Sequence, residues 1–146
     1  MLDRTGADCD FCRIARGEDE SAEIVCAAAD WVAFLPPTPA TLGHTLVIPR
    51  SHVPDFLALD GEVGASLMEG IVRVGLAIRK ALSPDGMNLI SSSGEAAQQT
   101  VFHLHFHLVP RRVGDRIGNI WPPDRPIDQE VREDLAALIR DACSSP

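Results

Sequence analysis

The spacing of apolar positions changes period several times along the chain, and each change marks an element. Ile24 to Ala28 and Trp31 to Leu35 are short runs rich in strand-forming residues, separated by Ala29-Asp30, and they predict a hairpin. Pro36, Pro37 and Pro39 interrupt any ladder and predict a loop. Thr45-Leu46-Val47-Ile48 predicts a compact buried strand closed by Pro49. Asp60 can cap a helix running to about Leu82, because Val63, Leu67, Ile71, Val74, Ile78 and Leu82 recur at three and four and form one stripe. Met68 and Val72 widen that apolar arc, so the helix is expected to touch something besides the sheet, with a second subunit as the candidate. Ser83-Pro84-Asp85-Gly86 ends it, and Met87 to Ile90 predicts the next strand.

The stretch from Val101 to Arg111 alternates most regularly. Read as a strand, it places Phe102, Leu104, Phe106 and Leu108 on one face and His103, His105 and His107 on the other. Beyond it, the segment from Gly114 to Pro126 is irregular and proline-rich. Asp128 to Asp141 predicts an amphipathic helix through Val131, Leu135, Leu138 and Ile139. A short helical turn, Arg13 to Arg16 stopped by Gly17, precedes the hairpin. The order of elements predicts an α+β fold with a mainly antiparallel sheet and flanking helices. The 146 residues read as a single domain, 1–146.

Composition narrows the classes. Apolar content of 45% with 23% charged residues is that of a globular chain. A formal net charge of −8, with Lys80 the sole lysine, argues against a nucleic-acid groove, which needs clustered cations. No apolar run approaches the roughly eighteen residues of a membrane span. The first residues lack an apolar secretory segment, so the expected compartment is the cytoplasm, where thiols stay reduced.

The candidate chemistry then concentrates in a few residues. Alternate strand positions lie roughly 6.5–7 Å apart, so neighbouring imidazoles of the triad can share a phosphate or a metal. A neutral imidazole, with an ordinary pKa of about 6.5, is a competent nucleophile toward phosphorus. Cys9 and Cys12 form a C-x-x-C, readable as a bare thiol pair, a redox pair or half of a zinc site. Zinc needs two more ligands, and His52 and His103 are the available candidates. His44 and His52 flank the Thr45–Ile48 strand, so all five histidines fall in or beside two strands. Cys26 and Cys143 have no obvious partner.

Three blocks, Cys9-x-Phe-Cys-x-Ile-x-x-Gly-Glu, Gly43-His-Thr-Leu-Val-Ile-Pro-Arg-x-His, and Gln99-Thr-Val-Phe-His-Leu-His-Phe-His-Leu-Val-Pro-Arg, resemble the histidine-triad (HIT) superfamily. The resemblance spans the motif-bearing core, 9–111, and leaves 112–146 as an extension with a helix. It implies a homodimer that binds a small purine nucleotide and hydrolyses or transfers a nucleoside monophosphate at the α-phosphate. By position, His105 is then the nucleophile that forms a nucleotidyl-histidine, and His107 and His44 attend the phosphate as catalytic partners. Asn88, Gln99 and Thr100, together with His107, correspond to substrate-binding residues. Cys9, Cys12, His52 and His103 correspond to the ligands of a structural Zn2+ in zinc-containing members.

The chain also departs from that pattern. Pro36 stands where many members carry a ribose-binding Asp, Ser92 where Asn is usual, and Gln98 where Gly is usual. A side chain at Gln98 is expected to narrow the approach to the phosphate. Trp121, in the extension, is expected to pack, with substrate contact across a dimer as the other reading. Phosphoramidates and dinucleoside polyphosphates are the substrate types implied. The alternatives are a nucleotidyltransferase or phosphorylase, and a nucleotide-binding interaction module with little catalysis.

Overall fold

The structure is a computed structural model that describes Gly6 and residues 9–144. Its centre is a five-stranded antiparallel sheet ordered β1-β2-β3-β5-β4, with β1 Glu23–Ala27, β2 Trp31–Leu35, β3 Thr45–Pro49, β4 Gly86–Ile90 and β5 Phe106–Arg111. The predicted α+β class therefore holds, and the hairpin, the β3 run and the β4 run fall within a residue or two of their expected bounds.

Strands β2 and β3 read as continuous apolar runs because both faces are covered. On one face Trp31, Ala33, Val47 and Leu108 pack under helix α2, Gly61–Leu82, through Leu67, Ile71, Val74 and Ile78. Burying each of those four helical side chains contributes roughly 1.5–3 kcal/mol. On the other face Val32, Phe34, Leu46 and Ile48 pack under helix α1, Asp10–Arg16, through Ile14 and Ala15. On that same face, farther along the sheet, His107 lies on β5 opposite Leu46.

Helix α2 begins and ends as its sequence dictates. The Asp60 carboxylate accepts from the backbone N–H groups of Glu62 and Val63 at 3.0 and 2.9 Å. At the other end Ser83 takes a left-handed conformation, and Arg112 donates to the carbonyls of Leu82 and Ser83 at 2.6 and 3.2 Å. Gly70 permits the closest approach to the sheet, because a Cβ there would stand 2.4 Å from the Trp31 ring. Met68, Val72 and Leu76 are exposed on the outer side of the helix. Among the described residues no helix is long and apolar enough to cross a membrane.

Two compact units divide the chain, one to Arg116 and one from Ile117. The second holds helix α3, Gln129–Ser144, whose stripe of Val131, Leu135, Leu138 and Ile139 is exposed. Trp121 is 83% exposed, so the packing expected of it is not made.

One expectation needs correction. The strand predicted from Val101 begins only at Phe106. Ahead of it the ladder gives way to other partners. The Leu104 N–H donates to the Val53 carbonyl at 2.6 Å, and the His105 carbonyl accepts from Ser91 Oγ at 2.9 Å. The His103 carbonyl accepts from the His105 ring at 2.7 Å.

Candidate active site and metal centre

The bend before β5 separates the three histidines into different environments. His107 lies on β5 opposite Leu46 of β3 and Ile90 of β4. His44 lies directly before β3, after Gly43, whose φ of +88° favours glycine. His105 stands edge-on to His107, with ring centroids 4.8 Å apart. His103 turns away from both toward the cysteines and is fully buried.

The hydrogen bonds fix which ring nitrogen carries each proton, since a carbonyl only accepts and a backbone N–H only donates. His105 Nδ1 faces the His103 carbonyl at 2.7 Å and so bears hydrogen; in the neutral ring this leaves a lone pair on Nε2. His44 Nδ1 accepts from the Ala40 N–H at 3.0 Å, which puts its proton on Nε2. His44 Nε2 lies 2.9 Å from His107 Nδ1 and donates to it, which puts the His107 proton on Nε2. The result is a lone pair on one imidazole beside an N–H on the next.

Burial disfavours the charged form of these rings. It pushes His107 down to about 4, with the charges of His105 and His44 adding to the effect. His105 is lowered chiefly by burial, against the opposing pull of the His103 carbonyl. His44 is lowered by burial and by His105. Phe11 packs against His105. Its ring stands edge-on to His105 at 5.2 Å and to Phe34 at 5.4 Å.

Cys9, Cys12, His52 and His103 converge, with one ligand atom from each within 4.8 Å of the others. His103 Nε2 donates to the Pro49 carbonyl at 2.9 Å, which leaves Nδ1 unprotonated and directed at Cys9 Sγ (3.5 Å) and Cys12 Sγ (3.4 Å). His52 Nδ1 stands 3.3 Å from Cys12 Sγ, and its buried Nε2 has no hydrogen-bond partner. Zinc bonds of about 2.3 Å to sulfur and about 2.0 Å to nitrogen give tetrahedral sulfur-to-nitrogen edges of roughly 3.5 Å. The observed separations match those edges, so the four residues fit a tetrahedral ion. Burial also pushes His103 down to about 4, which keeps its ligand nitrogen free of a proton.

The residues expected to meet substrate occupy three different settings. Asn88 lies on β4 opposite Val109, on the same face as His107. Thr100 is exposed. Gln99 is buried, accepts from the Gly94 N–H at 2.8 Å, and donates to the Pro54 and Val101 carbonyls at 2.7 and 3.1 Å. Its amide braces the loop from within. Gln98 is exposed and holds a left-handed φ of +67°, so a residue with a Cβ occupies a glycine-favouring conformation. Ser92 and Pro36 are half-buried.

Sequence reasoning did not assign site roles to Phe11, Ser91 or Arg111. The signals were present in the C-x-Phe-C spacing and in the Pro-Arg exit of the triad block.

The sequence profile of the HIT domain family matches residues 18–114. Adenosine 5'-monophosphoramidase hnt1 of Schizosaccharomyces pombe is 31% identical over 136 residues, which span 90% of this chain and 98% of that one. The crystal structure of SMU.412c from Streptococcus mutans has a TM-score of 0.88 at 38% identity, over 94% of this chain and 87% of the other. A zinc-bound histidine triad family protein from Mycobacterium smegmatis has a TM-score of 0.71 at 35% identity, over 96% of this chain and 99% of the other. With its triad, its sheet and more than half of its length matched, the chain belongs to the HIT domain family.

Proposed function

We propose that the chain is a nucleotide hydrolase that acts at the α-phosphorus of a purine nucleotide, of the phosphoramidate or dinucleoside polyphosphate type, through His105. The observation that carries this reading is the fixed His105 tautomer, with an unprotonated Nε2 beside the His107 N–H. The S. pombe relative, named a monophosphoramidase, supports the substrate class.

In the first displacement the His105 Nε2 lone pair forms a bond to phosphorus, and the leaving group departs with the electrons of its own bond. The ring becomes cationic, and the His103 carbonyl holds the Nδ1 proton and steadies that charge. In the second displacement a water oxygen attacks phosphorus, and the electrons of the nitrogen–phosphorus bond return to Nε2. Water is thereby divided between a nucleoside monophosphate and a protonated leaving group. Charge that gathers on the phosphoryl oxygens meets the His107 Nε2–H, which His44 orients and Ala40 orients in turn. Thr100 and Asn88 supply further polar contacts.

Cys9, Cys12, His52 and His103 hold Zn2+ in this reading, and the ion is structural: it fastens α1 to the segment that carries His105. The protein acts as a homodimer joined through the exposed Met68, Val72 and Leu76 of α2.

Replacing His105 with Ala tests the mechanism. Turnover of adenosine phosphoramidate is expected to vanish while nucleotide binding persists, and wild-type protein quenched during turnover should gain the mass of one nucleotidyl group. Turnover that survives in the variant would sink the mechanism.

A further inference from the structure

A charged cluster lies on the open sheet face beyond the histidines. Arg111, the last residue of β5, donates Nε and Nη2 to the two carboxylate oxygens of Asp115 at 2.6 and 2.8 Å. Its third contact, from Nη1, reaches Asn88 Oδ1 at 2.9 Å. The Asp115 carboxylate also accepts from the backbone N–H of Arg112 at 3.1 Å. The Arg111 and Asp115 side chains are only 20% and 11% exposed. A planar guanidinium gripped at two points by a carboxylate has a fixed orientation, which a lysine ammonium does not share.

That orientation decides the state of Asn88. A guanidinium has donors and no acceptor, so the amide atom facing Arg111 is the oxygen. The amide NH2 is therefore turned away from Arg111, on the strand face that His107 shares. Asn88 pairs with Val109, and the neighbouring pair on that face is Ile90 with His107. Without Arg111 the terminal torsion of asparagine is broad and roughly two-fold, and the oxygen can take the place of the NH2.

We propose that Arg111, clamped by Asp115, is a positioning residue that makes Asn88 a dedicated hydrogen-bond donor to an acceptor oxygen of the bound nucleotide. The inference rests on the nucleotide reading above and deepens it. Such an oxygen belongs either to a sugar hydroxyl or to a phosphoryl group. A flipped amide would repel a phosphoryl oxygen, and it would force a sugar hydroxyl to rotate and donate, losing the bond in which the hydroxyl accepts.

The test is calorimetric titration of full-length protein with adenosine monophosphate and its 2'- and 3'-deoxy analogues. It compares wild type with Arg111→Ala, Arg111→Lys and Asn88→Asp. Arg111→Ala should weaken adenosine monophosphate binding about tenfold, the scale of one lost hydrogen bond. Lysine should restore part of that loss, and Asn88→Asp should lose at least as much as Arg111→Ala. In turnover of adenosine phosphoramidate, Arg111→Ala should raise KM by the same factor and lower kcat by less than about threefold, the pattern of lost uniform binding. The Asn88 side-chain amide resonances should shift on nucleotide addition in wild type and stay still in Arg111→Ala. A sugar contact predicts that one deoxy analogue loses the same factor in wild type and nothing further in Arg111→Ala. A phosphoryl contact predicts the full Arg111→Ala loss with every analogue.

Wild-type affinity in a folded Arg111→Ala protein overturns the proposal while leaving the nucleotide reading in place. So does an affinity loss accompanied by displaced β4 and β5 backbone resonances, which marks a merely structural role. Absence of nucleotide binding by the wild type removes both readings.

Discussion

At the scale of single residues, the site is defined by proton positions. Four imidazoles lie close together, yet each has a different partner: a backbone carbonyl for His105 and His103, a backbone N–H for His44, and His44 itself for His107. Their burial has a consequence for pH. The folded-state pKa of His107, about 4, lies below the ordinary imidazole value, so between the two the unfolded chain binds the proton more readily. The stability that His107 contributes is present in full above about 6.5 and is lost as the pH falls toward 4. His44 shifts in the same direction. Denaturant midpoints measured from pH 7 to pH 5 should fall, and the slope should flatten in His107→Gln; equal slopes would show that the ring is solvated. Gln98 offers a second residue-scale prediction. Its left-handed backbone costs roughly 1 kcal/mol relative to glycine, so Gln98→Gly should raise the denaturant midpoint. A lowered midpoint would mean that the Gln98 side chain makes a compensating contact.

At the scale of elements, local patterns decided most of the outcome. The period of three and four in α2, the Asp60 cap and the continuous runs of β2 and β3 specify their elements through contacts within a few residues. Alternation did not suffice for the triad segment. The pattern from Val101 to Arg111 is that of a strand throughout, but Val53 and Ser91, each distant in sequence from its partner, satisfy the backbone ahead of Phe106. Gln99 shows the same limit, because its amide is held by Gly94, by Val101 and by Pro54, the last 45 residues away, and spacing along the chain does not announce that third partner. Two element-scale predictions follow from packing. Gly70→Ala drives a methyl group into the Trp31 ring, and overpacking of that kind costs roughly 1–3 kcal/mol; an unchanged thermal midpoint would contradict the close approach of α2. Protein purified without added metal should carry one zinc per chain by elemental analysis. Cys12→Ser should lose that metal and with it the protection of the α1 amides from hydrogen exchange.

At the scale of the whole molecule, the exposed Met68, Val72 and Leu76 line one side of a helix that is otherwise committed to the sheet. The proposed homodimer would cover that stripe. Sedimentation of the wild type should give a dimer, and Leu76→Glu should give a folded monomer; a monomeric wild type would remove the homodimer from the proposal. By itself, the sequence determined the kinds of element, the α+β class, the acidic balance and the inventory of reactive side chains. These depend on residue type and on periods of two or 3.6, which are local. Tertiary structure alone decided where the triad strand begins, how closely His52 and His103 approach the cysteines, and which nitrogen of His105 carries the lone pair. The reason is physical: a tautomer is set by the atom opposite each nitrogen. For His107 that partner is His44, 63 residues away, and for His103 it is the Pro49 carbonyl, 54 away; for His105 it is the nearby His103 carbonyl, which meets the ring only because the chain bends ahead of β5.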